Sequence, residues 1–427
     1  MIGVHAAVTP LLAHLPDAWE ARRFKAVLDR LNERNEDLTY EMLSLRSTGA
    51  VVPRSLDPRQ EPDTANLPRY LIAHVGDLVV NPMWLIGGGV GVSTLDGAVS
   101  PDYRVFRSRT TIQPRFLHYL LRSQPYLDQY LLYTRAQTTF DRRVQQGDLD
   151  NLPLPIPPIN EQRAIADYLD CETARIDTLI EEQQGLIELL QERRAAAVQR
   201  AVSGSLEEEA KHLSRSRWWV ELPAAWQVVQ LRRVLNFVAD GPHFSPNYVD
   251  DGYMFISARN IKVDRWALED AKFVSAEDFA SFSLRVVPER GDVLYTKGGT
   301  TGIARVVDLD FPFQVWVHVA VLKVRRELVD PYFLAYALNS GPCYEQSQMY
   351  TRGATNNDLG LTRMVNIELP LPPLEEQRRI VAYLDEQTAK IDALIAETET
   401  FIDLSRERRS ALITAAVTGQ IDVREVA

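Results

Sequence analysis

Two stretches of the chain carry apolar residues at spacings of three, four and seven, which predicts one apolar face on a long helix. The first follows the proline-rich run 153–158, can be capped by Asn160 and ends at Gly204, and the second runs from Glu375 to Gly419. The principal apolar positions are Ile165, Leu169, Ile176, Leu179, Ile180, Ile380, Leu384, Ile391, Leu394 and Ile395. Neither helix can bury its stripe alone, so we expect the two to pack antiparallel as a coiled coil. Two unrelated surface helices are the alternative.

The remaining parts of the chain have a different pattern. Short β-rich runs, punctuated by Gly and Pro, occur at 252–257, 292–296, 302–307 and 315–324. A short helical stretch precedes each long helix, at 114–123 and 331–340. We therefore predict an α+β fold with two α/β domains, each built on a mainly antiparallel, curved sheet.

An internal repeat relates the two halves. From Glu161 and Glu376 onward, the two long stretches match without gaps at a constant offset of 215 residues. The chain therefore reads as a tandem duplication, which predicts two domains related by a pseudo-two-fold axis. We divide it into a first domain at 1–150, a first helical region at 151–204, a linker and second domain at 205–366, and a second helical region at 367–427.

The charge is unevenly distributed over the 427 residues, whose net charge is −11. Residues 151–213 hold 6 basic and 12 acidic residues, and residues 367–427 hold 7 and 12, whereas the two large domains are balanced. The acidic total therefore does not argue against DNA binding by the domains. Only two cysteines are present, which excludes a disulfide framework. We see no signal peptide and no apolar run long enough to cross a membrane, and expect a cytoplasmic protein.

Motifs for catalysis are missing. The sequence has no phosphate-binding loop, no HExxH and no Cys/His metal spacing. The segment Asn81–Trp84 partly resembles the NPPY/F motif of amino-methyltransferases but lacks its second proline. The chain is therefore predicted to be a binder without catalytic residues or a metal. The alternatives are a DNA methyltransferase or fused modification chain, and a coiled-coil scaffold that binds protein.

A duplicated signature carries a family resemblance. The pattern EQR-x-I-x-x-YLD opens both long helices, after LPLPIPP in one case and LPLPP in the other. Together with the segments 240–248, 255–262, 289–299 and 352–359, it resembles the DNA-specificity (S) subunit of type I restriction–modification systems. The first domain matches this pattern less well, and Ala136 replaces a glycine of the second domain's RGAT.

The resemblance implies a function. Each domain would be a target recognition domain that reads one half of a split double-stranded DNA site, and the paired helices would set the spacing. The helices would also dock two modification subunits, which carry S-adenosylmethionine and the adenine methyltransferase chemistry. Restriction/translocase subunits would join that complex. This chain itself would bind no cofactor.

Candidate DNA contacts are chosen by side-chain chemistry. Cationic side chains suit phosphates, and Arg, Asn and Gln suit base edges. In the first domain they are Arg46, Arg54, Arg135, Gln137, Thr138, Arg142 and Arg143. In the second domain they are His243, Arg259, Asn260, Lys262, Lys297, Thr300, Thr301, Arg352, Thr355, Asn356 and Asn357.

Overall fold

The computed structural model describes residues 5–54, 64–109, 112–134, 142–206, 210–352 and 358–426. The chain forms two compact units, one made of Met1–Gln183 with Thr400–Ala427 and the other of Gln184–Glu399. Two helices of 44 residues each, Ile159–Val202 and Leu374–Val417, run from one unit into the other. Each unit therefore contains one β-rich domain and a part of both long helices.

The first unit is built on a four-stranded antiparallel sheet. The strands lie in the order Leu28–Leu31, Arg104–Ser108, Leu78–Val80 and Val90–Val92. Two-stranded antiparallel pairs surround it: Glu20–Arg23 with Pro153–Ile156, Leu43–Leu45 with Val51–Pro53, and Leu71–Ala73 with Gly97–Val99. The helices, including 3-10 turns, are Thr9–Leu12, Phe24–Val27, Thr64–Arg69, Leu85–Gly87, Pro114–Arg122, Gln124–Tyr133, Gln146–Asn151 and Val423–Val426.

The second unit repeats this sheet. Its strands lie in the corresponding order Leu235–Asp240, Val319–Val324, Val293–Thr296 and Ala304–Val306, again antiparallel. A second sheet joins Tyr248–Val249, Lys272–Val274, Tyr253–Ile256 and Phe313–Val315. The pairs Lys211–Leu213 with Glu221–Pro223 and Gln227–Gln230 with Glu368–Leu371 complete the strands. The helices and 3-10 turns are Leu231–Val234, Ala258–Asn260, Ala276–Ser283, Pro331–Leu338, Gly341–Tyr350 and Leu361–Met364.

The prediction of two α+β domains with mainly antiparallel sheets is confirmed, with one local correction. The run 315–324 is not a single strand, because residues 316–318 separate Phe313–Val315 from Val319–Val324. Phe313–Val315 pairs in parallel with Tyr253–Ile256, whereas the other described strand pairs of this unit are antiparallel. The apolar run hid this break because Trp316, Val317 and His318 fit a strand pattern equally well.

The proline-rich runs form edge strands immediately before the long helices. Pro153–Ile156 and Glu368–Leu371 each pair with a strand from the start of their own β-rich domain. Proline is tolerated there because a two-stranded pair leaves one side of each strand without a ladder partner. The first long helix begins at Ile159, so Asn160 lies in its first turn and is not the cap.

Glycine residues follow the ends of both long helices. Gly204 has φ of 68° and Gly419 has φ of 73°, the left-handed conformation that closes many helices. Pro223 and Trp226 pack closely around Gly204, and Pro16 and Trp19 do the same at Gly419. A side chain at either position would both strain the backbone and displace the adjacent proline ring.

Within each unit the two long helices pack antiparallel. In the first unit, Arg409 Nε donates to Asp177 Oδ1 at 2.8 Å, and Ile165 and Leu169 share a core with Ile413. In the second unit, Arg194 Nε donates to Asp392 Oδ1 at 3.0 Å. The two ion pairs occupy equivalent positions at the offset of 215, so the duplication extends to the contacts between the helices.

The apolar stripe has more than one neighbour along its length. Ile165 and Leu169 are buried in the core of the first β-rich domain, and Ile380 and Leu384 are buried in the core of the second. Ile176 and Ile391 are also buried, and Leu179, Ile180 and Ile395 are half-buried. Leu394 is 48% exposed, so the structure does not support it as a buried coiled-coil position. No helix of the described residues has both the length and the apolar character that a membrane crossing needs.

Candidate nucleic-acid interface

Four loops of the second unit meet at one end of its four-stranded sheet. Asp240 ends the first strand of that sheet, and Lys297 follows the strand Val293–Thr296. The backbone N–H of Lys297 donates to His318 O at 2.8 Å, and its carbonyl accepts from Leu359 N at 2.7 Å. We call residues 240–243, 297–302, 316–318, 352 and 358–359 the second loop cluster. Parts of the sequence segments singled out at 240–248 and 289–299, with the described ends of the segment 352–359, therefore converge here.

The centre of this cluster is Lys297, which is only 4% exposed. Its Nζ lies 3.3 Å from Asp240 Oδ2 and 3.1 Å from Asp358 Oδ1, and it donates to Val317 O at 3.2 Å. Lys297 thus connects three loops through its side chain. The prediction that it contacts DNA is not supported, because its charge is already neutralised inside the domain.

The carboxylate of Asp240 is shared among several cations. It accepts from Arg285, and His243 Nε2 lies 3.3 Å from its Oδ1. Burial raises the pKa of Asp240, but the Arg285 hydrogen bond and the Lys297 charge outweigh it, so the pKa lies below its ordinary value. Asp240 therefore stays ionised near neutral pH and joins the loops by charged contacts.

Two further candidates are also buried and already bonded. Asn260 is 2% exposed, caps its own turn through Ser257 and donates to Ala267 O at 2.8 Å. Thr301 is 4% exposed, and its hydroxyl accepts from Gln348 Nε2 at 3.0 Å. The structure does not support these two residues as direct DNA contacts, because their polar groups stabilise turns.

The other candidates of the second domain are distributed over two places. His243, Thr300 and Arg352 are exposed and belong to the second loop cluster. Gly299, beside Thr300, has φ of 72° and open space on its side-chain face, so the backbone there is accessible. Arg259 is exposed and Lys262 half-buried in the separate segment 258–267. Thr355, Asn356 and Asn357 lie outside the described residues.

The first unit brings together the equivalent loops. Val144 N donates to Pro82 O at 2.9 Å, which is the same contact as Leu359 N to Lys297 O at the offset of 215. Arg142 and Arg143 next to it are exposed, and Arg143 Nη2 lies 3.6 Å from Asp102. Residues 81–84 and 142–144 are the first loop cluster.

The remaining candidates of the first unit have separate positions. Arg46 is half-buried in the turn between Leu43–Leu45 and Val51–Pro53. Arg54 is half-buried, and its Nη1 donates to Tyr70 OH at 3.1 Å. Arg135, Gln137 and Thr138 lie outside the described residues. Of the candidates among the described residues of this unit, Arg142 and Arg143 are the two that lie at the first loop cluster.

Sequence reasoning missed one cation that contacts the first loop cluster. Arg104 is 8% exposed, and its Nη2 donates to Val144 O at 3.1 Å. Burial lowers its pKa, and the nearby charges of Arg30 and Arg143 lower it further. Arg104 joins a sheet strand to a loop, whereas Lys297 of the second unit joins loops to one another. Its position inside an apolar strand pattern gave no signal for this role.

The comparisons with known proteins bear directly on this duplicated arrangement. The family model of the type I restriction modification DNA specificity domain matches residues 90–189 and 223–400. The chain belongs to this family. Specificity subunits recognise DNA and are not catalytic, so the methyltransferase alternative is set aside. The two β-rich domains are its target recognition domains, and the chain is part of a type I restriction–modification complex that acts with DNA.

Individual relatives are distant but extensive. The MjaVIII specificity subunit of Methanocaldococcus jannaschii is 24% identical over 306 residues, 70% of this chain and 69% of that relative. The EcoBI specificity subunit of Escherichia coli is 22% identical over 288 residues, 66% of this chain and 60% of the relative.

Solved structures share the fold. A chain from work on complex assembly and conformational transition of the type I R-M system has a TM-score of 0.67 and 22% identity, and the match covers 96% of this chain and 100% of that one. The HsdS subunit from Thermoanaerobacter tengcongensis has a TM-score of 0.52 and 21% identity, covering 95% and 98%. At these identities the likeness shows the fold alone.

Proposed function

We propose that this specificity subunit reads an asymmetric bipartite DNA site, with one target recognition domain for each half. The observation that carries the proposal is the duplicated loop cluster. The same backbone contact joins the same pair of loops in both units, but different side chains surround it. Lys297 with two aspartates forms the second centre, whereas Arg104 forms the first. Because equivalent loops of the two domains carry different side chains, we expect the two half-sites to differ in base sequence.

The exposed residues of the clusters are the proposed contacts. Arg142 and Arg143 in the first cluster, and His243, Thr300 and Arg352 in the second, supply donors at accessible positions. Arginine suits both phosphates and the O6 and N7 atoms of guanine. Arg46, Arg54, Arg259 and Lys262, together with the candidates outside the described residues, remain predictions of the sequence.

Replacement of Arg352 tests the assignment of the second half-site. If Arg352 contacts a base, Arg352→Ala should weaken binding by about 5- to 150-fold at one position of one half, since a lost bidentate contact costs about 1–3 kcal/mol. If it contacts a phosphate, all sequences should weaken alike and the slope of log affinity against log salt should fall by about one. Binding of the full complex to DNA libraries randomised in each half measures both.

A matched control distinguishes a contact from a general charge effect. Arg326 is also exposed but follows the opposite end of the strand Val319–Val324. Arg326→Ala should leave the affinity and the sequence preference for both half-sites unchanged. Equal losses in the two variants, or a relaxed preference in the half assigned to the first domain, would contradict the assignment of Arg352.

We further propose that the long helices dock two modification subunits. Leu189 is 64% exposed and its repeat equivalent Leu404 is 59% exposed, and Leu186 and Phe401 are each 41% exposed. A single exposed apolar residue needs no explanation, but apolar residues exposed at the same positions in both copies favour a partner that binds twice.

The division of chemistry follows from this arrangement. We propose that S-adenosylmethionine is bound by the modification subunits and that this chain binds no cofactor. Restriction/translocase subunits would join the assembled complex. A coiled-coil scaffold without DNA binding would lack the salt-dependent affinity expected of phosphate contacts, which the same binding measurements would reveal.

A further inference from the structure

The duplicated helix signature and the turn that follows it contain polar residues that are almost completely buried. Gln162 and Gln377 are both 0% exposed, and Thr173 and Thr388 are both 5% exposed. Burying a polar side chain is unfavourable unless it is hydrogen-bonded. The partners of these residues therefore indicate what the signature does within this chain.

The signature glutamines attach the long helices to the recognition domains. Gln377 Oε1 accepts from Asp330 N at 2.8 Å, while its Nε2 donates to Leu328 O at 3.0 Å and Pro372 O at 2.8 Å. Gln162 makes the corresponding contacts, accepting from Gln113 N at 2.7 Å and donating to Pro157 O at 2.8 Å. In both copies the amide holds the start of the domain helix that precedes the long helix.

A second attachment lies further along each long helix. Tyr336 OH donates to Asp385 Oδ1 at 2.7 Å and lies 3.4 Å from Thr388 Oγ1. Tyr119 OH donates to Asp170 Oδ1 at 2.6 Å and lies 3.3 Å from Thr173 Oγ1. Burial and the hydrogen-bonded aspartate raise the pKa of Tyr119 to about 12, so this phenol remains a donor at neutral pH.

A tryptophan supplies a third contact at the start of each long helix. Trp19 Nε1 donates to Glu161 Oε1 at 3.0 Å, and Trp226 Nε1 donates to Glu376 Oε1 at 2.9 Å. The glutamine and aspartate attachments are eight residues apart, about 12 Å along a helix. Two separated attachments define an angle, whereas one would allow the domain to pivot.

We propose that these residues form a clasp that fixes the angle between each recognition domain and its long helix. Apolar packing alone is non-directional, so the same core could be buried at several angles. Hydrogen bonds depend steeply on direction and select one of them. The clasp is retained in both copies although the domains have diverged. Its residues act as positioning residues for DNA reading, and this consequence rests on the proposed function.

The two clasps differ in strength. In the first, Arg115 Nη2 also donates to Asp167 Oδ1 at 2.6 Å, and its Nη1 contacts Asp170. The second copy has Tyr332 and Ala382 at the positions of Arg115 and Asp167, so it lacks this ion pair. The second clasp is therefore the better one to remove.

The test removes the glutamine and tyrosine attachments of the second clasp with little change in side-chain volume and leaves its tryptophan contact in place. The variant Tyr336→Phe with Gln377→Met deletes both attachments, and Tyr336→Phe alone is the milder version. The control, Tyr332→Phe with Gln184→Met, makes the same chemical changes at exposed positions of the same unit. Spin labels at Lys272→Cys and Glu397→Cys, with Cys171→Ser, report the domain-to-helix distance in the full chain. Binding of the full complex to sites with varied gaps is the second measurement.

The outcomes separate the clasp from the proposed function. We expect the label distance distribution to widen by about two-fold in the clasp variant and not in the control, because lost directional bonds permit other angles. We also expect gaps about one base pair longer or shorter to be tolerated, with unchanged half-site preferences. An unchanged distance distribution in the double variant would overturn the clasp. The distance distribution could also widen in the clasp variant although the complex with the unaltered chain reads no bipartite site. That result would support the clasp and refute the proposed function.

Discussion

At the scale of single residues, Lys297 shows how the surroundings of a side chain reverse its expected role. A lysine within a glycine-rich segment is typical of phosphate binding, and the sequence offered no reason against it. In the structure it lies 3.3 Å from Asp240 and 3.1 Å from Asp358 and is almost fully buried. Its charge stabilises the loops that carry the exposed candidates, rather than DNA.

We predict that Lys297→Met strongly destabilises the second unit. Removing Lys297 takes one cation from the buried carboxylate of Asp240, which Arg285 still bonds. It also leaves Val317 O without its donor, and we expect a cost of about 1–3 kcal/mol. The exposed Lys272 of the same domain provides the control, and Lys272→Met should change stability by less than about 0.5 kcal/mol. Urea unfolding followed by tryptophan fluorescence measures both. Equal midpoints for the two variants would show that the ion centre does not stabilise the domain.

At the scale of elements, the long helices present different faces to different neighbours. Their signature residues face the recognition domains, and the ion pairs Arg194–Asp392 and Arg409–Asp177 join helix to helix. Leu189 and Leu404 remain exposed at equivalent positions. Each long helix thus contacts its recognition domain and the other helix, and we propose that it also binds an external partner.

We predict that Leu189→Glu and Leu404→Glu each remove one of two bound modification subunits, and that the double variant binds none. If the partner buries this leucine in the complex, its loss costs about 1.5–3 kcal/mol of binding free energy, or roughly 10- to 150-fold in affinity. Native mass spectrometry of the mixed subunits counts the bound copies. Thr178→Glu, at another exposed helix position, should retain two. Two copies bound to the double variant would place the docking surface elsewhere.

At the scale of the whole molecule, the two units are linked by the long helices. Each helix begins in the unit of its own recognition domain and ends in the other unit. A helix of 44 residues is about 66 Å long. If the helices set the gap between half-sites, the gap should follow their length.

We predict that one heptad inserted after Gly185 and another after the equivalent Thr400 lengthens the preferred gap and leaves the half-sites unchanged. Seven residues add about 10.5 Å of helix, or roughly three base pairs of DNA. Methylation mapping by the full complex would show the new gap. A heptad in the first helix alone should abolish methylation, because the two helices lose their register. Altered bases within a half-site at an unchanged gap would contradict the idea that the helices set the gap.

The sequence by itself determined the repeat, the two long helices, the kind of domain and the family. These features depend on local periodicity and on matching residue types, and both can be recognised in a single sequence. The spacing of Ile165 and Leu169 predicts a buried helix face without any knowledge of what covers it.

Only the tertiary structure decided which neighbours the individual polar side chains have. Lys297 is buried because Asp240 and Asp358, both remote in sequence, meet it at one end of a sheet. Gln377 attaches a helix to a domain because Asp330 N and Leu328 O converge on its amide. Periodicity reveals which face of an element is apolar, but the free energy of a buried polar group depends on its partners. Those partners come from distant segments, and only the folded chain brings them together.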